Sequence, residues 1–187
     1  MTGCIEKLTT TPSPHRLRIL LIISLIGTFV IYPVIAVIFQ FSGDTVNFMA
    51  SQLSFSGPFM KAEYALILAA GGMAYYFTAQ LLDYGLMLMY GILFFTASLA
   101  IYRKLAKGTR WRSITLIVSL LGPVAAILDS IENGFLFAMA SDPIAFPDVL
   151  AVFCSSFSLG KWVLLFAVIA WLVIAWIISR RVSPHKE

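Results

Sequence analysis

The sequence predicts an all-α, polytopic membrane protein: one bundle of four transmembrane helices, with an extracytoplasmic helical connection between the first and second spans. Three observations predict it. Apolar residues make up 60% of the 187 and charged ones 12%, where a soluble domain holds about half and a quarter. The apolar residues are gathered into runs of about 20 residues or more, the length a helix needs to cross hydrocarbon. Finally, 11 of the 13 Lys and Arg flank those runs in three clusters: Lys7, Arg16 and Arg18; Arg103, Lys104, Lys107, Arg110 and Arg112; Arg180, Arg181 and Lys186. A four-span topology puts all three clusters, and both termini, in the cytoplasm, as the positive-inside rule asks.

The whole chain, 1–187, is expected to be a single membrane domain. The first span covers about 17–39, behind the basic flank His15-Arg16-Leu17-Arg18. Its apolar stretch exceeds the roughly 7–15 residues of a secretory signal and lacks a small-residue cleavage site, so it is expected to be retained. Pro33 marks a kink. An outer connection of 40–72 follows. Val46, Met49, Ala50 and Leu53 recur at helical spacing opposite Asp44, Asn47, Ser51 and Ser54, which suits either a short amphipathic surface helix or a loop helix packed on the bundle. Ser56-Gly57-Pro58 breaks it, and 59–72 is expected to be re-entrant or to lie on the surface.

The stretch 64–102 is almost wholly apolar and could hold two short spans or one long one. Two spans would send the five cations of 103–112 to the opposite side from the N-terminus. The expected span is therefore about 73–103, entered through a break at Gly71-Gly72. At 1.5 Å per residue it runs roughly 45 Å, so it must tilt or project. The third span is about 113–139, with Pro123 as a second kink, and the fourth about 160–179. Trp162 and Trp176 near the ends of the fourth suit interfacial belts.

Polar residues inside these spans carry the functional signal, because charge in hydrocarbon costs roughly 2.5–3.5 kcal/mol per residue even on the gentlest scale. Asp83 lies about 30 Å from Arg103 along its helix, Asp129 about 24 Å from Ser113, and Glu132 and Asn133 about 28–30 Å from it. These four should share one layer beneath the outer surface, where Lys161 begins the fourth span and Gln40 and Gln52 descend from the connection. Asp129, Glu132 and Asn133 stand at i, i+3 and i+4, on the face that also carries Gly122 and Ala126; small residues there allow close helix approach. Tyr90, two turns from Asp83, can donate to one of the acids.

Asp83-Tyr84 with Tyr90-Gly91, then Leu128-Asp129-Ser130-Ile131-Glu132-Asn133, then Gly160-Lys161-Trp162, together with Gln52-Leu53-Ser54-Phe55, resembles a pattern in small uncharacterised bacterial four-helix integral membrane proteins. The resemblance covers about 52–162. It implies a four-helix membrane protein with these polar positions as its signature, and it carries no activity with it.

Several classes are excluded. Cys4 and Cys154 lack C-x-x-C spacing, and His15 and His185 are both terminal; a thiol relay, a zinc site and heme ligation within the membrane have no residues to build them. The net charge of +4 sits at span margins, which argues against nucleic acid. What remains is a plasma-membrane protein whose partners are lipids and, as alternatives, a second copy or a larger complex. Its pocket would be built by Asp83, Asp129, Glu132, Asn133, Lys161, Tyr90 and Gln52, binding a cation or the cationic head group of a lipid-like ligand. No cofactor is expected, although Asp83, Asp129 and Glu132 offer the oxygen donors a divalent cation prefers. An enzyme using the carboxylates as acid and base on a lipid or isoprenoid is the alternative, and a structural subunit with a polar packing network is the third. Transport ranks last, since no polar path continues through the inner halves of the spans.

Overall fold

The computed structural model describes residue 8, residues 10–43, residue 46 and residues 48–181. Along the chain run α1 (Pro14–Phe41), α2 (Phe48–Gln52), α3 (Gly57–Ala69), α4 (Met73–Tyr102), α5 (Arg110–Ser141) and α6 (Val149–Arg181). Among the described residues there is no strand. The four long helices, α1, α4, α5 and α6, are each apolar and long enough to cross a membrane.

Local sequence explains the boundaries. Ser13 accepts from the Arg16 amide with Pro14 in the first turn, Ser56 caps α3 on Phe59 with Pro58 beside it, and Thr109 caps α5 on Arg112. α3 ends in a Schellman motif: Gly72 N donates to Ile67 O at 2.9 Å and Gly71 N to Leu68 O at 3.0 Å. Gly71 takes φ +68°, and a Cβ on Gly72 would fall 1.9 Å from Ser42 O. The expected break at Gly71-Gly72 is thus a turn that only glycine can make.

The long helices form a row rather than a closed ring. α1 packs on α4, α4 on α5 and α5 on α6, while α6 meets α4 along a shorter stretch. Lipid offers helices no hydrophobic drive to associate, so the seams rely on close van der Waals contact at small residues. A Cβ on Gly27 would sit 2.6 Å from Met89 Sδ, one on Gly122 2.5 Å from Phe94 Cβ, and one on Gly91 3.2 Å from Ala126 Cβ. The outward faces are the reverse of a soluble protein's: Phe29 is 73% exposed and Ile26 57%.

Some boundaries differ from expectation. α6 begins at Val149, not near 160, because Ser156 and Ser158 turn their hydroxyls onto Val152 O and Cys154 O within the same helix and so hide their polarity. α1 starts at Pro14 and α5 at Arg110, since basic side chains extend a helix beyond the apolar stretch. Both run unbroken through Pro33 and Pro123. The amphipathic pattern of 46–54 yields only the five residues of α2; Asp44 and Asn47, half of its polar face, lie outside the described residues, as do Cys4, Lys7, His185 and Lys186.

The connection between α1 and α4 folds down onto the bundle. Trp162 Nε1 donates to Gln52 Oε1 at 2.9 Å, and Phe55 N donates to Ser155 Oγ at 3.0 Å. Phe55 adopts φ +49°, a left-handed conformation costing roughly 1–2 kcal/mol outside glycine, and this bond holds it there. Beneath α3 lies an aromatic cluster in which the Tyr64 and Tyr76 rings meet edge to face at 5.3 Å and Tyr64 meets Phe146 at 6.0 Å.

Candidate functional site

Three helices bring the intramembrane charges to one level. At helical rise Asp83 lies about 15 Å from the start of α4, Asp129 about 18 Å from the end of α5, and Lys161 about 18 Å from the start of α6. The close approach of α4 and α5 at Gly91, Gly122 and Ala126 is what lets short side chains such as Asp and Asn meet across the seam.

Two polar groups result. In the first, Lys161 Nζ lies 2.7 Å from Asp129 Oδ1 and 2.6 Å from Glu132 Oε2, and Tyr90 OH donates to Asp129 Oδ2 at 2.8 Å. Exposure is 5% for Asp129, 0% for Glu132 and 3% for Lys161. Glu132 Oε1 has no hydrogen-bond partner among the described residues. In the second, Asn133 Nδ2 donates to Asp83 Oδ2 at 3.0 Å and to Gln80 O at 3.4 Å. From Gln80 the bonding continues: Gln80 Nε2 reaches Tyr76 OH at 3.2 Å, Tyr76 OH meets Tyr64 OH at 3.0 Å, and Tyr64 OH donates to Leu136 O at 3.3 Å.

Beside these groups, flanked by α1 and α6 and backed by α4, is a cavity of about 380 Å³. Asp83, Asp129, Lys161, Tyr90 and Gln80 reach its wall, and Ile35, Leu86, Phe94 and Leu165 make it mostly apolar. Of the seven residues singled out from the sequence, Asp83, Asp129, Lys161 and Tyr90 line this space. Glu132 and Asn133 stand behind it, bonded to residues that do. Gln52 is held above it by Trp162, itself in the wall.

Among the described residues no group of three His, Cys, Asp or Glu side chains is arranged to hold an ion. Lys161 is the physical reason: its ammonium already stands between Asp129 and Glu132, where a cation shared by the two would have to sit.

Sequence reasoning passed over two residues. Gln80 lies one turn before Asp83 on the same helical face, and that spacing was the signal available. Glu63, in α3, is 4% exposed and accepts Ser51 Oγ at 2.9 and 2.7 Å; lying outside the expected spans, it carried no signal of burial. The halves of the spans nearer the 103–112 loop are also less bare than expected. Ser24, Thr96, Thr115 and Ser119 are buried there, and each donates to a carbonyl of its own helix; Thr115 Oγ1 also accepts from Trp171 Nε1 of α6 at 3.0 Å. Comparison with protein-family models, curated proteins and solved structures found no match.

Proposed function

We propose that the cavity holds the cationic head group of a lipid-like amphiphile, with Asp83 as its counter-charge, in a multi-pass plasma-membrane protein whose termini and basic 103–112 loop face the cytoplasm. One observation carries this reading. Three carboxylates share a layer with one ammonium, and that ammonium is engaged by Asp129 and Glu132. Asp83 is left on the cavity wall with an amide as its hydrogen-bond partner and, among the described residues, no ion-pair contact. A cationic head group would offset one of the two negative charges that Lys161 leaves uncompensated. The cavity volume falls within the roughly 300–1,000 Å³ typical of small-molecule sites. Its apolar wall between α1 and α6 suits a chain that stays in the bilayer. The exposed Lys104, Lys107 and Arg110 at the far end of the bundle support the proposed orientation.

The first polar group favours a different role. Asp129, Glu132 and Lys161 pair across the α5–α6 seam and hold those helices in register, while Asp83 is left to the cavity.

Asp83→Asn in lipid nanodiscs tests the assignment. A charge pair at about 4 Å in a medium of effective dielectric about 20 attracts by about 4 kcal/mol before desolvation, and loss of the charge should weaken binding of dodecylammonium roughly 10- to 100-fold. Isothermal titration calorimetry against nanodisc-embedded protein measures it. Unchanged affinity in the variant would remove Asp83 from the site and the reading with it.

A further inference from the structure

The bonding around Asp83 has a direction, and the direction restricts which cations fit. Tyr64 gives its one hydroxyl proton to Leu136 O. Its oxygen therefore accepts from Tyr76 across their 3.0 Å contact, and Tyr76 has then given its proton as well. Toward Gln80 the Tyr76 oxygen can only accept, so Gln80 must turn Nε2 to it and present Oε1 elsewhere. Asn133 is fixed by the same logic. It faces two acceptors, Asp83 Oδ2 and Gln80 O, and must offer both of them its Nδ2. A single backbone carbonyl at Leu136 thus orients three side chains in sequence, Tyr64, Tyr76 and Gln80.

Of the other donors in the wall, four are committed, while the Tyr32 hydroxyl and the Gln40 side-chain amide donate to no described residue. Tyr90 OH goes to Asp129, Thr28 Oγ1 to Ser24 O and Trp162 Nε1 to Gln52, while the Lys161 ammonium bridges two carboxylates. Asp83 Oδ1 and Gln80 Oε1 accept from no described residue. They lie one turn apart on the same face of α4, both in the cavity wall. Two acceptors without donors, one of them charged, match a head group that brings N–H bonds of its own.

Resting on the reading above, we infer that the site selects a primary or secondary ammonium amphiphile over a quaternary one, with Asp83 and Gln80 receiving its N–H groups. A trimethylammonium head carries the same charge but no donor, and would leave both oxygens without an N–H partner in a mostly apolar cavity.

The test compares dodecylammonium, dodecyltrimethylammonium and the soluble ethylammonium ion on nanodisc-embedded wild type, Gln80→Met and Asp83→Asn, by isothermal titration calorimetry. Wild type should prefer dodecylammonium to its trimethyl analogue by about tenfold or more, since one buried hydrogen bond to a charged group is worth about that factor. Gln80→Met should narrow the ratio severalfold, and Asp83→Asn should weaken both. The ratio is internal to each variant, so a general loss of stability cannot mimic the Gln80 effect. Equal or tighter binding of the trimethyl form, with Asp83→Asn still weakening both, overturns the selectivity and leaves the head-group reading standing. Binding of neither long-chain cation overturns both. Ethylammonium binding as tightly as dodecylammonium overturns the amphiphile class in favour of a free amine.

Discussion

Replacing Lys161 by methionine keeps the length of the side chain and removes the one cation that Asp129 and Glu132 share. Two contacts vanish, at 2.7 and 2.6 Å, and two carboxylates nearly sealed from solvent are left facing each other without compensation. Interhelical hydrogen bonds in membrane proteins average about 0.6 kcal/mol, because the unfolded chain in lipid also finds partners; on that count alone the loss would be only about 1 kcal/mol. The stranded charge is the larger effect, since breaking a buried pair from one side costs about 3–5 kcal/mol. We therefore expect Lys161→Met to lower stability by about 3 kcal/mol or more. The neutral triple variant Asp129→Asn, Glu132→Gln, Lys161→Met should recover most of it, because removing an ion group whole is often nearly neutral. Equilibrium unfolding in mixed micelles of rising sodium dodecyl sulfate fraction, followed by circular dichroism, measures both. A single variant within about 1 kcal/mol of wild type, or a triple variant no more stable than the single one, would refute the argument that these residues lock α5 to α6 by sharing one ammonium.

The remaining expectations concern packing and topology. Gly122→Val should destabilise by about 1–3 kcal/mol through overpacking, as its Cβ would meet Phe94 Cβ at 2.5 Å, whereas Gly134→Ala, with nothing within 4 Å of the new methyl, should be neutral or stabilise by up to about 1 kcal/mol; the same unfolding assay separates them, and equal effects would sink the account of the α4–α5 seam. In a Cys4→Ser background, Lys107→Cys should resist a membrane-impermeant maleimide in intact cells while Asp148→Cys reacts. The opposite pattern would invert the proposed orientation.

Much of the architecture was legible from residue patterns. The long apolar run before Arg103 was divisible only by weighing where five cations would end, and the helix Met73–Tyr102 agrees with that weighing. The ends of α5 and α6 were less legible, because serines and arginines can cap their polarity on the helix or reach away from it, and composition does not say which. The layer of Asp83, Asp129, Asn133 and Lys161 could be derived by counting helical rise from charged margins. Counting gives height alone. It could not say that Lys161 would be consumed by Asp129 and Glu132, nor that Asp83 would be the acid left over.

Hydrophobic length, the placement of cations and the periodicity of small residues determined by themselves that this chain makes four membrane-length helices with acids at a common depth, since those features depend on one residue's distance along the chain from another. The tertiary structure alone decided which acid pairs with which partner, that Gln80 and Trp162 join them, and that α1 and α6 stand apart around a cavity. Those outcomes turn on rotation of each helix about its axis and on the direction of individual hydroxyl and amide protons, and neither is written in the order of residues.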